Sequence, residues 1–197
     1  MIKRNNIILC DVDGVLLHWL PAFHRYMNNQ GLYSDNPEGY TVGANFGMTD
    51  DELVEYITIF NGGHWEFGTL TPYADAQYGI QELTKLGYRF VAITSCSTNT
   101  QAIALRRANL YIHFGDVFDA VHCIDVGNSK KTHLAEHEPT FWIEDHAKNA
   151  ADGLEYGHDC ILMAQNWNEN VSDPRVKRCL NWAEIVEYIE TGGRLKV

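Results

Sequence analysis

Five short apolar runs limit what this chain can fold into: residues 7–10, 90–93, 120–124, 140–143 and 160–163. Each is four or five residues long and rich in β-branched or aromatic types. A continuous apolar run of that length reads as a strand buried on both faces, which is the condition of a parallel sheet. Helical spacing falls between the runs. Residues 76–86 set Ile80, Leu83 and Leu86 on one face and stop at Gly87, and 100–109 and 147–156 read as two more helices. Near the end, Asn181-Trp182-Ala183-Glu184 opens a further helix as an Asn-led variant of the capping box. Strands alternating with helices predict an α/β domain with right-handed crossovers, a Rossmann-like three-layer core around a parallel sheet.

One stretch departs from the alternation. Between the first run and the helix at 76 there is no convincing strand. Residues 18–29 and 50–60 read as helices, and Gly31 to Gly47, rich in Gly, Asn, Pro and Asp, reads as loop. The expected organisation is a core of residues 1–15 and 75–197 with a small helical insertion at 16–74. The tail from Gly192 to Val197 reads as frayed.

A net charge of −11 argues against a basic nucleic-acid-binding face and against a polybasic membrane surface. No apolar run approaches the ~20 residues that span a bilayer, and the run at 7–10 is too short for a signal-peptide core. The five cysteines are odd in number and lack any C-x-x-C pair, which fits reduced thiols in a cytoplasmic protein.

The chemistry gathers at the ends of the apolar runs. The first leads into Asp11-Val12-Asp13-Gly14-Val15, two carboxylates at i and i+2 followed by a glycine that lets the backbone turn. Alone this is also a common turn sequence. The second run ends in Thr94-Ser95, the fourth in Glu144-Asp145, and Lys130-Lys131-Thr132 precedes the fourth. In a parallel sheet these ends line one crevice. Carboxylates from two strands can hold a hard cation such as Mg²⁺, a lysine and hydroxyls can meet a phosphoryl group, and a carboxylate can act as nucleophile.

Asp11-Val12-Asp13-Gly14-Val15, Thr94-Ser95, a lysine at 130 or 131 and Glu144-Asp145, in that order, resemble the four motifs of the haloacid dehalogenase-like (HAD) hydrolases. The insertion at 16–74 falls where that superfamily carries a cap. Within it, Leu70 to Ala76, Ile93-Thr94-Ser95, Lys131-Thr132, Trp142 to Asp145 and Asn181-Trp182 are similar to the 5′(3′)-deoxyribonucleotidase branch, except that Glu144 stands where that branch usually has Asp. The resemblance implies a phosphomonoesterase that forms an aspartyl-phosphate. Asp11 would be the nucleophile and Asp13 the general acid and base. Mg²⁺ would be held by Asp11, the Asp13 carbonyl and Asp145, with Glu144 a ligand or an outer group. Thr94 and Ser95 would bind phosphoryl oxygens. Lys131 is favoured over Lys130 as the charge-neutralising lysine, because Lys-Thr follows the family pattern.

The implied substrate is a small phosphorylated molecule, a nucleoside or deoxynucleoside 5′-monophosphate, with Trp65 and Phe67 as base-stacking aromatics and Tyr40 and Phe46 as weaker candidates. The rivals are a HAD phosphatase for a metabolite such as a sugar phosphate, and a receiver-like phospho-acceptor. Asp13 and the insertion speak against the receiver. His133 and His137, four apart, lack a third ligand in sequence and read as surface or core histidines.

Overall fold

A computed structural model describes residues 6–36, 45–170 and 173–194. Its six strands are β1 (Ile7–Cys10), β2 (Arg89–Ser95), β3 (Phe118–Ile124), β4 (Phe141–Glu144), β5 (Asp159–Met163) and β6 (Lys177–Cys179). They form one all-parallel sheet in the order β3-β2-β1-β4-β5-β6. All five apolar runs are strands, and the expected Rossmann-like α/β class holds. The sixth strand carries Lys-Arg-Cys at the sheet edge, where no apolar run marks it.

Side chains alternate across the sheet and feed a core on each face. Ile8, Cys10, Phe90, Ala92, Ile143 and Ile161 join the larger cluster, while Leu9, Val91, Ile93, Trp142 and Cys160 join the smaller one. The helices are α1 (Trp19–Asn29), α2 (Asp50–Gly63), α3 (Ala74–Lys85), α4 (Thr100–Phe114), α5 (Lys131–Leu134), α6 (Ala147–Leu154) and α7 (Trp182–Glu190). Helix α4 runs past the predicted end at Asn109. It is capped by Asn99, whose side chain accepts from the N–H groups of Gln101 and Ala102. Asn181 caps α7 by accepting from Glu184 N–H at 3.0 Å. The return bond of Glu184 goes to Leu180 N–H, not to Asn181, which shifts the expected capping box by one residue. Helices α3 and α7 pack tightly because α3 has a glycine at the crossing: a Cβ on Gly79 would lie 2.5 Å from Trp182 Cε3.

The insertion between β1 and α3 is helical, as expected. Its entry and exit run side by side, with His18 N–H on Thr71 O at 2.9 Å and Tyr73 N–H on Leu16 O at 2.9 Å. An aromatic cluster of Trp19, Phe23, Tyr26 and Phe60 holds α1 against α2. Thr49 and Glu52 form a full capping box at the start of α2. The predicted loop at 31–47 lies partly outside the described residues, as does Tyr40.

Of the tail expected to fray, residues 195–197 lie outside the described residues, while Arg194 is held. Arg194 N–H donates to the Asp159 carboxylate, and the Arg194 guanidinium donates to Pro174 O at 2.7 Å. Among the described residues, no helix is long and apolar enough to cross a membrane.

Candidate active site

Strand order places the crevice. From β1 the chain goes to β2 and β3 on one side, then crosses to β4 on the other, so the β1 and β4 ends flank a topological switch point. Cys10 pairs with Ala92 and with Ile143, and Asp11 N–H bonds Ile143 O at 2.9 Å. Asp11 and Glu144 therefore leave the sheet at one level. The turn after Asp11 closes when Leu16 and Leu17 N–H both reach Val12 O. Gly14 sits in this turn at φ +78, and a Cβ there would collide with the Asp145 carboxylate. Both facts require glycine.

At the bottom of the crevice two carboxylates, Asp11 and Glu144, meet one ammonium, with Asp145 beside them. Lys130 Nζ is 2.8 Å from Asp11 Oδ1 and 2.7 Å from Glu144 Oε2, and it sits over the Trp142 ring, 5.4 Å from its centroid. Glu144 is fully buried. Its other oxygen, Oε1, accepts from Asp145 N–H at 3.1 Å and His146 N–H at 3.0 Å. Glu144 is thus committed to Lys130 and to its own turn, which makes it an orienting group more than an open ligand. Burial and then the Glu144 charge push the Asp11 and Asp145 carboxyls well above the usual range. Burial acts on Glu144 in the same direction, but Lys130 and the N–H donors outweigh it and hold Glu144 below its ordinary value. Burial would lower Lys130, and Asp11 and Glu144 more than reverse this.

The lysine in the cluster is Lys130, not the favoured Lys131. Lys131 Nζ pairs with Glu155 at 2.7 Å and Asp152 at 3.4 Å, at the outer rim. Lys130 is the N-cap of α5 and Lys131 its first residue. One step along a helical turn swings a side chain by roughly 100°, which separates the two. Asp13 lies beside the cluster and pairs with the fully buried Arg106, Nη2 to Oδ2 at 2.6 Å. Burial raises the Asp13 carboxyl above its usual range, against the opposing pull of Arg106.

Above the carboxylates is a cavity of about 780 Å³, lined by Ser95 on the sheet side and by Trp19, Leu53, Ile57, Tyr73 and Trp167 higher up. Thr94 is fully buried and does not line it, unlike Ser95. The expected stacking aromatics are elsewhere. Trp65 is 68% exposed and off the cavity, and Phe67 is fully buried beneath Arg106, 4.5 Å from guanidinium carbon to ring centroid. Phe46 packs edge-on against Phe23 within the insertion.

No family model matches the chain. An uncharacterised 32.4 kDa protein from the Gp30–rIII intergenic region of Enterobacteria phage T4 is 25% identical over 189 residues, 90% of this chain and 67% of its own length. Among solved structures, a haloacid dehalogenase-like family hydrolase from Streptococcus pneumoniae superposes with a TM-score of 0.66 at 17% identity, covering 93% of this chain and 97% of that one. A predicted phosphoglycolate phosphatase from Haemophilus somnus also gives 0.66, at 14% identity, with 96% and 100% coverage.

The fold is that of the haloacid dehalogenase-like hydrolases.

HAD hydrolases of the phosphatase kind use Mg²⁺, and the residues here fit it. Asp11, Glu144 and Asp145 each offer a carboxylate oxygen within 4.8 Å of the others, and all three are buried. Three buried carboxylates against one ammonium leave excess negative charge, which a hard divalent cation with oxygen ligands would balance. Asp11 and Asp145 are the open donors, since Glu144 is engaged.

Around the acidic cluster are further side chains outside the set expected from the sequence. Gln165 Nε2 bonds Gly14 O at 2.6 Å and Tyr73 Oη at 3.1 Å, fixing the turn after Asp11. Asn168 Nδ2 holds Asp145 O at 2.8 Å and Met163 O at 2.7 Å. Both follow β5, and a polar pair just past a strand end was the available signal. Arg106 left none: it lies mid-helix, 93 residues from its partner Asp13.

Proposed function

We propose that this chain is a Mg²⁺-dependent phosphomonoesterase of the cytoplasm that acts through an aspartyl-phosphate on nucleoside or deoxynucleoside 5′-monophosphates. The observation that carries the reading is the buried Asp11–Lys130–Glu144–Asp145 cluster, at the switch point of a HAD fold and at the floor of the cavity. The residues 16–74 act as a cap over that floor, with residues 1–15 and 75–197 as the catalytic core.

In the first half-reaction an Asp11 carboxylate oxygen bonds to phosphorus as the ester P–O bond breaks. Asp13 gives its proton to the leaving oxygen, a task suited to a carboxyl held above its usual range. Water then attacks the phosphorus of the aspartyl-phosphate and loses a proton to Asp13, which releases phosphate and restores Asp11. Lys130, held by Glu144, keeps positive charge next to the reacting oxygens, and Ser95 contributes a hydroxyl on the sheet side. Bound Mg²⁺, on Asp11 and Asp145, would supply charge neutralisation for the phosphoryl oxygens.

The nucleoside reading rests on the cavity. About 780 Å³ with an apolar and aromatic upper wall suits a leaving group much larger than a two- or three-carbon acid. Trp19 and Trp167 take the stacking role that Trp65 and Phe67 cannot. A second reading, a sugar or small-acid phosphate, is favoured by the phosphoglycolate phosphatase among the similar folds.

The test is phosphate release with Mg²⁺ across nucleoside monophosphates, sugar phosphates, phosphoglycolate and an aryl phosphate. Asp11→Asn or chelation should abolish release from all of them, and full turnover by Asp11→Asn would overturn the nucleophile. Trp167→Ala should weaken nucleotide turnover more than aryl phosphate turnover. Equal losses, or a preference for phosphoglycolate, would favour the second reading.

A further inference from the structure

A second group of ligating side chains lies away from the cavity, on the edge strand β3. His122 projects from β3, while His133 and Glu136 come from α5 and the turn after it. The rings of His122 and His133 stack with centroids 4.3 Å apart and planes 24° from parallel. Glu136 Oε2 is 3.5 Å from His133 Nδ1. That Nδ1 is buried and makes no hydrogen bond among the described residues. One donor atom from each of the three side chains lies within 4.8 Å of the other two. Sequence offered only His133 and His137; the fold adds a strand histidine and a carboxylate.

The donor set differs from that of the acidic cluster. Two imidazoles and one carboxylate suit a borderline divalent cation such as Zn²⁺, whereas all-carboxylate oxygen suits Mg²⁺. As mere packing the arrangement is poor, because two stacked imidazoles repel once protonated. Burial and His133 hold His122 below its ordinary value, with His137 and Arg107 acting the same way and Glu136 opposing them. Its neutral form is the ligating form.

We propose that His122, His133 and Glu136 bind one divalent cation of the zinc class, with water completing its coordination. The ion would tie β3 to the turn that carries Lys130, three residues before His133, and so brace the catalytic lysine without touching substrate.

The experiment is calorimetric titration of the full chain with Zn²⁺ in excess Mg²⁺, which occupies the acidic cluster. One equivalent should bind, and Asp145→Asn should leave that binding in place. His122→Gln and His133→Gln should each weaken it by at least about 10-fold, a range that even outer-shell changes at metal sites reach. Zinc should raise the melting temperature of the wild type and not of these variants. Diffraction at the zinc edge from wild-type crystals should place the ion between the three side chains, which decides the matter if a variant does not fold. No stoichiometric uptake by the wild type, uptake by both Gln variants undiminished from the wild type, or zinc found only at Asp11 and Asp145 would overturn the proposal.

Discussion

Asp13 and Arg106 differ in how they meet solvent, and that asymmetry sets what each substitution costs. The Asp13 side chain keeps 21% exposure although its Oδ1 is buried, and protonation can discharge it. Arg106 is fully buried, and its Nε and Nη1 have no hydrogen-bond partner among the described residues. The Asp13 carboxylate and the Phe67 ring are what compensate its charge. Asp13→Ala should therefore cost stability on the order of 3 kcal/mol by leaving a buried guanidinium unpaired, besides lowering turnover ~10²–10⁴-fold. Arg106→Met, which removes the buried charge itself, should cost well under half as much. Urea unfolding of both variants checks the order, and a larger cost for Arg106→Met would refute it. The two lysines make a second contrast. Lys130→Met should abolish phosphate release, while Lys131→Met should keep turnover within about 2-fold and stability within about 0.5 kcal/mol, as rim substitutions do. Comparable losses in the two variants would return the role to Lys131.

At the scale of elements, His158 joins three of them just before β5. Its ring lies 2.9 Å from Leu134 O at the end of α5, and its Nδ1 accepts from Thr140 N–H, just before β4, at 3.2 Å. Because Nδ1 accepts, Nε2 must donate, so the ring is neutral in the fold. Burial lowers its pKa, with the Leu134 contact opposing. A folded value below the unfolded ~6.5 means the unfolded chain binds the extra proton first. Stability is then fully present above about pH 6.5 and falls as pH drops through 6.5 toward the folded value. His158→Gln should lower stability at pH 7 by roughly 1–3 kcal/mol, by loosening two buried backbone groups. It should also flatten the loss between about pH 6.5 and 5.5. His18, His24 and His137, lowered by burial as well, leave a residual slope. Denaturant midpoints across that range test this, and an unchanged slope in the variant would contradict it.

For the whole molecule, a net charge of −11 opposes the approach of an anionic substrate. Under the proposed function, attraction would be local, from Lys130 at the floor, Lys131 and Lys148 on the lining, and a metal held by the carboxylates. Raising salt at saturating Mg²⁺ should therefore increase kcat/KM for a phosphate ester, since the Debye length shrinks to ~10 Å near 0.1 M and screens the distant acids first. A steep fall with salt would show that the local cations govern capture. The same division between local and long-range holds for what could be read from the chain. Burial of β1, β2, β4 and β5 on both faces leaves continuous apolar runs, and the half-buried edge strand β3 keeps one too, so five strands and the acidic strand ends stand in the sequence by themselves. The edge strand β6 has no such imprint. Nor does the difference between Lys130 and Lys131, which depends on where a helical turn begins. The cavity wall of Trp19, Tyr73 and Trp167 and the Asp13–Arg106 pair draw on segments far apart in sequence, and the His122–His133–Glu136 group depends on how α5 folds back on β3. Periodicity records which face of its own element a residue occupies, and so the sequence determined the α/β class and the acidic chemistry at its strand ends. Which distant side chains converge depends on strand order and crossover, and only the tertiary structure decided that.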